Sequence, residues 1–143
     1  MSDKIHTILH IEDDDIDSMV MGRAFKTLEI PHQIIRAKDG IDALNMLRGI
    51  EGKEKLSPMP NIVIIDLNMP RMNGIEFLKE IRSDENLKHL CVYVITTSND
   101  EQDKAQAFKY CVAGYILKPV NLESFKEVLS ALNNFWKVCQ FPS

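Results

Sequence analysis

An unbroken run of four β-branched residues, Ile62 to Ile65, is followed directly by Asp66. Such apolar runs are typical of strands that are buried on both faces of a parallel sheet. A carboxylate beside the run is tolerable where the strand ends, and the carboxyl edge of an open α/β sheet is where ligands bind. The run therefore predicts a buried parallel strand that places Asp66 at this edge, where its carboxylate is a candidate nucleophile.

Charged residues end two other predicted strands. Glu12 and Asp13 directly follow the apolar residues 8–11, and Lys118 directly follows residues 115–117. Because the carboxyl ends of parallel strands lie at one edge of a sheet, these acids and this lysine are expected to face the same region as Asp66.

Strand and helix patterns alternate along the chain. Predicted strands cover residues 4–11, 32–37, 62–65, 91–96 and 113–117. Between and after them, helices are predicted to begin near Ile16, Ile41, Asn73, Glu101 and Asn121. Five strands alternating with five helices imply a single-domain α/β fold with a doubly wound parallel sheet.

Two of the helices carry more specific predictions. Asn73, with Glu76 three residues later, predicts a capping box at the start of the third helix. The fourth helix, which ends near Tyr110, has few apolar anchors, Ala105 and Phe108 among them. We therefore expect the fourth helix to pack loosely.

Composition narrows the classes of function. No apolar stretch approaches the ~20 residues that cross a bilayer, and the first residues lack a signal-peptide pattern, so we expect a cytoplasmic protein without membrane attachment. A net charge of −4 without a long basic run argues against nucleic-acid binding and favours proteins or small ions as partners. Cys91, Cys111 and Cys139 are odd in number and widely spaced, which predicts reduced thiols that act as small apolar fillers.

The predicted strand-end residues suit phosphoryl transfer. Glu12, Asp13 and Asp66 would repel one another across a small pocket unless a cation lay between them, and Mg²⁺ is the hard, oxygen-seeking ion that fits. Lys118 offers a point positive charge to phosphoryl oxygens, and Thr96 offers a hydroxyl at the end of the fourth strand. The set predicts transfer of a phosphoryl group to Asp66 by positioning and charge neutralisation.

In this order, these residues resemble the response regulator receiver domain of two-component signalling, over nearly the whole chain. The resemblance implies a flavodoxin-like sheet of strand order 2-1-3-4-5. It also implies an acidic pair at Glu12 and Asp13, a phosphoacceptor at Asp66 and a lysine before proline at Lys118. The family further implies a switch hydroxyl at Thr96 and a switch aromatic residue at Tyr115. It also implies that a metal ion is bound by the carboxylates of Asp13 and Asp66 and the backbone carbonyl of Asn68, with Glu12 acting through water. The bond between Lys118 and Pro119 resembles one that is usually cis.

Taken singly, several of these residues have a structural alternative. The acidic run 12–15 could cap the first helix, Thr96 could be an ordinary strand-end hydroxyl, and Tyr115 could be a packed strand residue. His6 and His10 lie four apart on a strand, so they do not imply a metal pair, and we expect His10 to be buried and neutral.

The expected output is protein contact. Residues 1–143 are interpreted as one receiver domain with an extended loop near 49–60 and no effector domain. That loop and the ending at Phe135 and Trp136 resemble stand-alone regulators that are paired with phytochrome-type histidine kinases. The two aromatic residues also have structural alternatives: they could form part of an association surface, but completion of the core is favoured. The implied partners are a histidine kinase or phosphotransfer protein, a downstream protein target and a second copy of the chain.

Two other functions compete with this interpretation. A Mg²⁺-dependent phosphatase with Asp66 as nucleophile usually needs a second acid two residues later, where this chain has Asn68. The other alternative is a receiver-like interaction module that is never phosphorylated, which the presence of Asp13, Asp66, Thr96 and Lys118 disfavours. A receiver catalyses only its own phosphorylation and dephosphorylation, so we expect no enzyme with an external substrate.

Overall fold

The computed structural model describes residues 5–141, so Lys4 of the first predicted strand lies outside the described residues. The strands are β1 (Thr7–Ile11), β2 (Gln33–Ala37), β3 (Ile62–Ile65), β4 (Cys91–Thr96) and β5 (Gly114–Leu117). The helices are α1 (Asp15–Thr27), α2 (Gly40–Arg48), α3 (Gly74–Arg82), α4 (Glu101–Lys109) and α5 (Leu122–Val138). All strand pairs are parallel in the order β2-β1-β3-β4-β5, which confirms the expected fold class.

The register of the sheet brings the strand ends together. Ile11 pairs with Ile65, and Ile65 pairs with Val94. The ladder continues for one residue beyond the strands, because the Asp66 N–H donates to the Ile11 carbonyl at 3.3 Å and the Lys118 N–H donates to the Thr96 carbonyl at 2.7 Å. The residues that follow β1, β3 and β5 therefore lie at one edge of the sheet.

Alternate residues of the central strand belong to two separate cores. Val63 and Ile65 pack with residues of α2, α3 and α4, whereas Ile62 and Ile64 pack with residues of α1 and α5. All four side chains are fully buried. Burial of each side chain stabilises the folded protein by roughly 1.5–3 kcal/mol. Because this strand is covered on both faces, an unbroken apolar run is needed for all of its side chains to contribute.

The start of α3 is fitted closely against the end of β3. The predicted capping box is confirmed: the Asn73 side chain accepts from the Glu76 N–H, and the Glu76 carboxylate accepts from the Asn73 N–H. A Cβ atom at Gly74 would lie 2.8 Å from the Asp66 carbonyl oxygen and 2.8 Å from the Leu67 Cα. A side chain there would push α3 away from the backbone that carries Asp66.

The apolar anchors predicted for α4 are wrong. Ala105 and Phe108 are exposed, and Ala107 is the buried residue of this helix. So few apolar residues occur in α4 that their spacing does not identify the buried face. With one buried residue, α4 has sparse apolar anchoring, and its loose packing stays a prediction.

The two aromatic residues near the end of α5 differ in burial. Trp136 completes the core and its Nε1 donates to the Tyr93 hydroxyl at 3.2 Å, while Phe135 is half exposed.

Cys111 is exposed, so it is not a buried filler as expected, because it follows the last turn of α4 at the surface. His10 is buried as expected, and this burial lowers its pKa to about 3, which keeps the ring neutral.

Residues 49–61 form the expected irregular, largely exposed segment between α2 and β3. Within residues 5–141 the cis X-Pro bond is at Ser57-Pro58, so the expected cis bond at Lys118-Pro119 is wrong. The Lys118 ammonium nevertheless reaches the sheet edge. No helix of the described part of the chain is long and apolar enough to span a membrane.

Arg82 ties the end of α4 to the rest of the molecule. Its guanidinium donates to the carbonyl oxygens of Tyr110 at 2.7 Å and Cys111 at 3.1 Å, which follow α4. It also donates to the carbonyl oxygens of Lys88 at 2.7 Å and Leu90 at 2.8 Å, which precede β4. Polar contacts from Arg82 therefore supplement the sparse apolar anchoring of α4.

We expect Arg82→Met to lower the free energy of unfolding by about 2–4 kcal/mol, because four backbone carbonyl oxygens lose this donor and two of these bonds are partly buried. Urea unfolding followed by circular dichroism measures the change. Arg23→Met is the matched control, since Arg23 is exposed and its contact is a long one to the Met19 sulfur. Equal effects of the two substitutions would contradict this role for Arg82.

Candidate functional site at the carboxyl edge of the sheet

Asp66 lies at the centre of the carboxyl edge with both carboxylate oxygens hydrogen bonded. Its side chain is buried. Oδ1 accepts from the Thr96 hydroxyl at 2.8 Å and from the Asn68 N–H at 3.1 Å, and Oδ2 accepts from the Lys118 ammonium at 2.8 Å. Thr96 is itself fully buried at the end of β4, directly beside this carboxylate.

The Lys118 ammonium is shared by three carboxylates. Its Nζ donates to Glu12 Oε1 at 2.9 Å, to Asp17 Oδ2 at 2.6 Å and to Asp66 Oδ2 at 2.8 Å. Burial of the ammonium opposes protonation, but the bonds to Asp17, Asp66 and Glu12 outweigh it and raise the pKa of Lys118 well above its usual range. Lys118 is therefore a permanent positive charge at the centre of the site.

Glu12 is the carboxylate most deeply withdrawn from water in this group, with 2% of its side chain exposed. Burial raises its pKa to about 7, and the charge of Asp66 acts in the same direction against the opposing bond to Lys118. Glu12 thus changes its charge near neutral pH, well above the range of an ordinary glutamate.

The acidic run after β1 divides between two roles. Asp14 caps α1, because its Oδ1 accepts from the Ile16 N–H at 2.8 Å and from the Asp17 N–H at 3.0 Å. Glu12 instead points to Lys118, and the Asp13 side chain is exposed, with no hydrogen bond or ion pair to any residue of 5–141. The capping alternative therefore applies to part of the run.

Arg36, at the end of β2, holds the backbone of this acidic loop. Its guanidinium donates to the Glu12 carbonyl oxygen at 2.9 and 3.1 Å and to the Asp13 carbonyl oxygen at 3.2 Å. It also pairs with the Asp15 carboxylate at 2.7 Å. Arg36 thereby fixes the position from which Asp13 projects.

Tyr115 is connected to the loop that follows Thr96. Its hydroxyl donates to the Ser98 carbonyl oxygen at 2.9 Å, and burial raises the pKa of this phenol, so it remains a donor at neutral pH. The Ser98 hydroxyl in turn donates to Asp103 Oδ2 at 2.6 Å in the first turn of α4. The loop between β4 and α4 therefore joins Thr96, Tyr115 and α4.

The structure brings four of the sequence-derived candidates into direct contact, namely Glu12, Asp66, Thr96 and Lys118. Asn68 reaches Asp66 through its backbone N–H, whereas Asp13 and Tyr115 lie at the border of the site without touching Asp66.

Two further residues, Asp17 and Arg36, were not anticipated from the sequence. Asp17 lies in the first turn of α1, which begins soon after the carboxyl end of β1, and this position could have identified it. No comparable sequence signal marks Arg36.

The donor set fits a hard divalent cation. Within the described residues, no three carboxylate, imidazole or thiolate side chains form a ready-made metal cage. The acids converge instead on one ammonium, and three carboxylates around it leave an excess of negative charge. Oxygen donors with excess negative charge are what Mg²⁺ and similar ions require, with water and main-chain carbonyls completing the shell.

Comparison with known proteins identifies the family of the chain. Residues 8–130 match the family model of the response regulator receiver domain. The chain therefore belongs to this family, whose members act in two-component signalling.

One similar protein is itself described as a response regulator. The chain is 35% identical over 129 residues to the response regulator Rcp1 of Synechocystis sp., an alignment that covers 90% of this chain and 87% of Rcp1. The crystal structure of the Mn²⁺-bound form of Rcp1 superposes with a TM-score of 0.85 at 33% identity, covering 96% of this chain and 99% of that chain.

Two further solved structures show the same similarity. The phosphorylated cyanobacterial phytochrome response regulator RcpA superposes with a TM-score of 0.88 at 31% identity, covering 98% of this chain and 100% of that chain. The response regulator RPA3017, in red light signalling of R. palustris, superposes with a TM-score of 0.87 at 29% identity, covering 97% and 99%.

The raised pKa of Glu12 predicts a specific dependence of stability on pH. Between the ordinary value of 4.5 and about 7 the folded protein binds more protons than the unfolded chain, so this group lowers stability as pH rises through that interval. Glu12→Gln removes the contribution, which amounts to at most about 3 kcal/mol. We expect the variant to lose less stability than the wild type between these pH values.

Urea unfolding without divalent cations, measured at several pH values, tests this expectation. Glu123→Gln serves as the control, because the side chain of Glu123 is exposed. Parallel stability curves for the wild type and Glu12→Gln would show that Glu12 titrates normally in the folded protein.

Proposed function

We propose that Asp66 accepts a phosphoryl group from a phosphohistidine of a partner protein in a Mg²⁺-dependent reaction, and that the change in Asp66 alters contacts with other proteins. In this reaction an Asp66 carboxylate oxygen forms a bond to phosphorus, the bond from phosphorus to the donor imidazole breaks, and the imidazole leaves with the bonding electron pair. The observation that carries the proposal is the position of Asp66, buried and held between the Thr96 hydroxyl and the Lys118 ammonium.

Thr96 and Lys118 would provide the positioning that phosphoryl transfer requires. Each lies 2.8 Å from a different oxygen of Asp66, so each is within reach of the oxygens of a phosphoryl group attached there. Positive charge and fixed donors stabilise the negative charge that develops on a transferring phosphoryl group.

We infer that Mg²⁺ is the cation of this reaction. The carboxylates of Asp13 and Asp66 and the backbone carbonyl of Asn68 would hold it, with Glu12 acting through water. When bound, Mg²⁺ supplies positive charge to phosphoryl oxygens. The exposed Asp13 carboxylate, the excess negative charge of the site and the Mn²⁺-bound form of Rcp1 support this assignment.

The response to phosphorylation would run through the loop that follows β4. Attraction of the Thr96 hydroxyl to a phosphoryl oxygen would displace this loop, to which the Tyr115 hydroxyl is bound through Ser98. Tyr115 would then turn inward, and the surface formed by α4, β5 and α5 would change shape. The sparse apolar anchoring of α4 supports its role as the element that moves.

The similarity to phytochrome-linked regulators supports a proposal for the partners. We propose a histidine kinase or phosphotransfer protein of a phytochrome-linked pathway as donor, a downstream protein as target and a second copy of the chain as a further partner, all in the cytoplasm. RcpA and Rcp1 are response regulators, so we infer that this chain likewise acts as a stand-alone regulator that modifies no external substrate.

Incubation with acetyl phosphate and Mg²⁺ tests the central reaction. We expect a mass increase of one phosphoryl group, labile to hydroxylamine and located on Asp66 by peptide mapping. Removal of Mg²⁺ with a chelator and the substitution Asp66→Asn should each abolish the label. A label that persists in Asp66→Asn would refute Asp66 as the acceptor, and an unlabelled wild type would favour an interaction module.

The hydroxyl of Thr96 can be tested separately. Thr96→Val removes the hydroxyl at nearly constant volume, and we expect it to slow labelling by acetyl phosphate by about tenfold or more, because a hydrogen bond to a charged group is worth about 1.5–3 kcal/mol. Thr96→Ser keeps the hydroxyl and is the matched control. Equal labelling rates in the wild type and Thr96→Val would exclude a contribution from this hydroxyl.

A further inference from the structure

The shortest contact of the Lys118 ammonium is made by Asp17, on α1, at 2.6 Å. We propose that Asp17 is a positioning residue that occupies one N–H of Lys118 in the unphosphorylated protein and yields this N–H to the incoming phosphoryl group. The inference rests on the proposed function of Asp66 and assigns to Asp17 the regulation of the same site.

All hydrogen-bonding capacity of Lys118 is used in the structure. An ammonium group has three N–H donors and no acceptor. The Lys118 ammonium makes three hydrogen bonds, one each to Glu12, Asp17 and Asp66. A phosphoryl oxygen can therefore receive a bond from Lys118 only if one of the three carboxylates gives up its own.

Exposure to water identifies the carboxylate that gives way. The side chains of Glu12 and Asp66 are 2% and 7% exposed, whereas that of Asp17 is 37% exposed. Phosphorylated Asp66 keeps one carbonyl oxygen that can still accept from Lys118, so the choice lies between Glu12 and Asp17. A released carboxylate must be solvated, and a buried one without a partner carries a large desolvation cost. Asp17 can be solvated as it leaves Lys118, so its bond is the least costly to break.

The position of Asp17 in α1 suits such an exchange. Its N–H donates to the Asp14 side chain at 3.0 Å, so the backbone of Asp17 is fixed within the first turn of the helix. The amino-terminal end of a helix also stabilises a negative charge. The Asp17 carboxylate can therefore rotate away from Lys118 without a change in the fold and without losing all favourable interaction.

This arrangement has a measurable consequence. Asp17 competes with a phosphoryl group for the same N–H of Lys118, so removal of its charge should strengthen the binding of a phosphoryl analogue. Fluoroberyllate, formed from beryllium chloride and sodium fluoride, bonds to a carboxylate oxygen and presents fluorine atoms in the tetrahedral arrangement of phosphoryl oxygens. Its binding at saturating Mg²⁺ reports on the competition without any turnover.

We expect Asp17→Asn to lower the fluoroberyllate concentration at half saturation by about two- to fivefold. An ion pair of this exposure is worth up to about 1 kcal/mol, which corresponds to a factor of about five. Asp17→Ala, which removes the acceptor oxygens altogether, should shift it in the same direction. Asp15→Asn is the control, because it removes the same charge from the same turn of α1. Asp15 pairs with Arg36 rather than Lys118, so we expect its substitution to change the half-saturating concentration by less than about twofold. Unchanged or weaker binding by both Asp17 variants would overturn the proposal.

A second measurement follows Lys118 directly. In ¹⁵N spectra of the side-chain ammonium, the Lys118 signal should differ between the wild type and Asp17→Asn before fluoroberyllate is added, and the two signals should converge at saturation. Signals that remain as far apart at saturation would show that Asp17 still contacts Lys118, which would refute the exchange. A purely structural role of Asp17 would change stability without this convergence.

The same samples separate this inference from the proposed function. If the wild type neither binds fluoroberyllate nor is labelled at Asp66, the function assigned to Asp66 fails and the role of Asp17 falls with it. If the wild type and Asp15→Asn bind and are labelled normally while both Asp17 variants behave like them, the exchange at Lys118 alone is wrong.

Discussion

The contact of one ammonium with three carboxylates at the carboxyl edge of the sheet is the interaction on which the arrangement of the site depends. The parallel register places Glu12 and Asp66 side by side, and α1 adds Asp17. Without Lys118 these like charges would repel one another in a partly buried environment of low dielectric constant. A buried ion cluster is weak evidence for stability, because desolvation offsets much of the attraction, so its presence here is better explained by the chemistry of the site.

The same edge connects the site to the surface of the molecule. Thr96 contacts Asp66, and the loop that follows it binds the Tyr115 hydroxyl and the first turn of α4. At the opposite end of α4, Arg82 holds the following residues by backbone carbonyl groups. One end of α4 is therefore attached to the site and the other to the body of the domain, an arrangement suited to a change at Asp66 that alters the surface around α4.

Much of the fold could be predicted from the pattern of apolar residues and from the residues that cap helices. The run 62–65 identified the central strand because burial on both faces requires an unbroken apolar segment, and Asn73 with Glu76 identified the start of α3 because their side chains satisfy free N–H groups. The buried face of α4 could not be predicted, since its sparse apolar residues define no stripe. The cis bond expected at Lys118 came from resemblance alone and is absent there.

The amino-acid sequence alone specified which polar side chains end the strands, and therefore that Asp66, Thr96 and Lys118 would meet at one edge. Local patterning suffices for this, because parallel strands share a direction and their carboxyl ends coincide. Only the tertiary structure decided which acids reach Lys118, since Asp17 contacts it across 101 residues of chain while Asp13 remains exposed. That choice depends on how α1 packs beside the sheet, and distances between elements so far apart in the chain are set by packing of the whole core rather than by any local pattern.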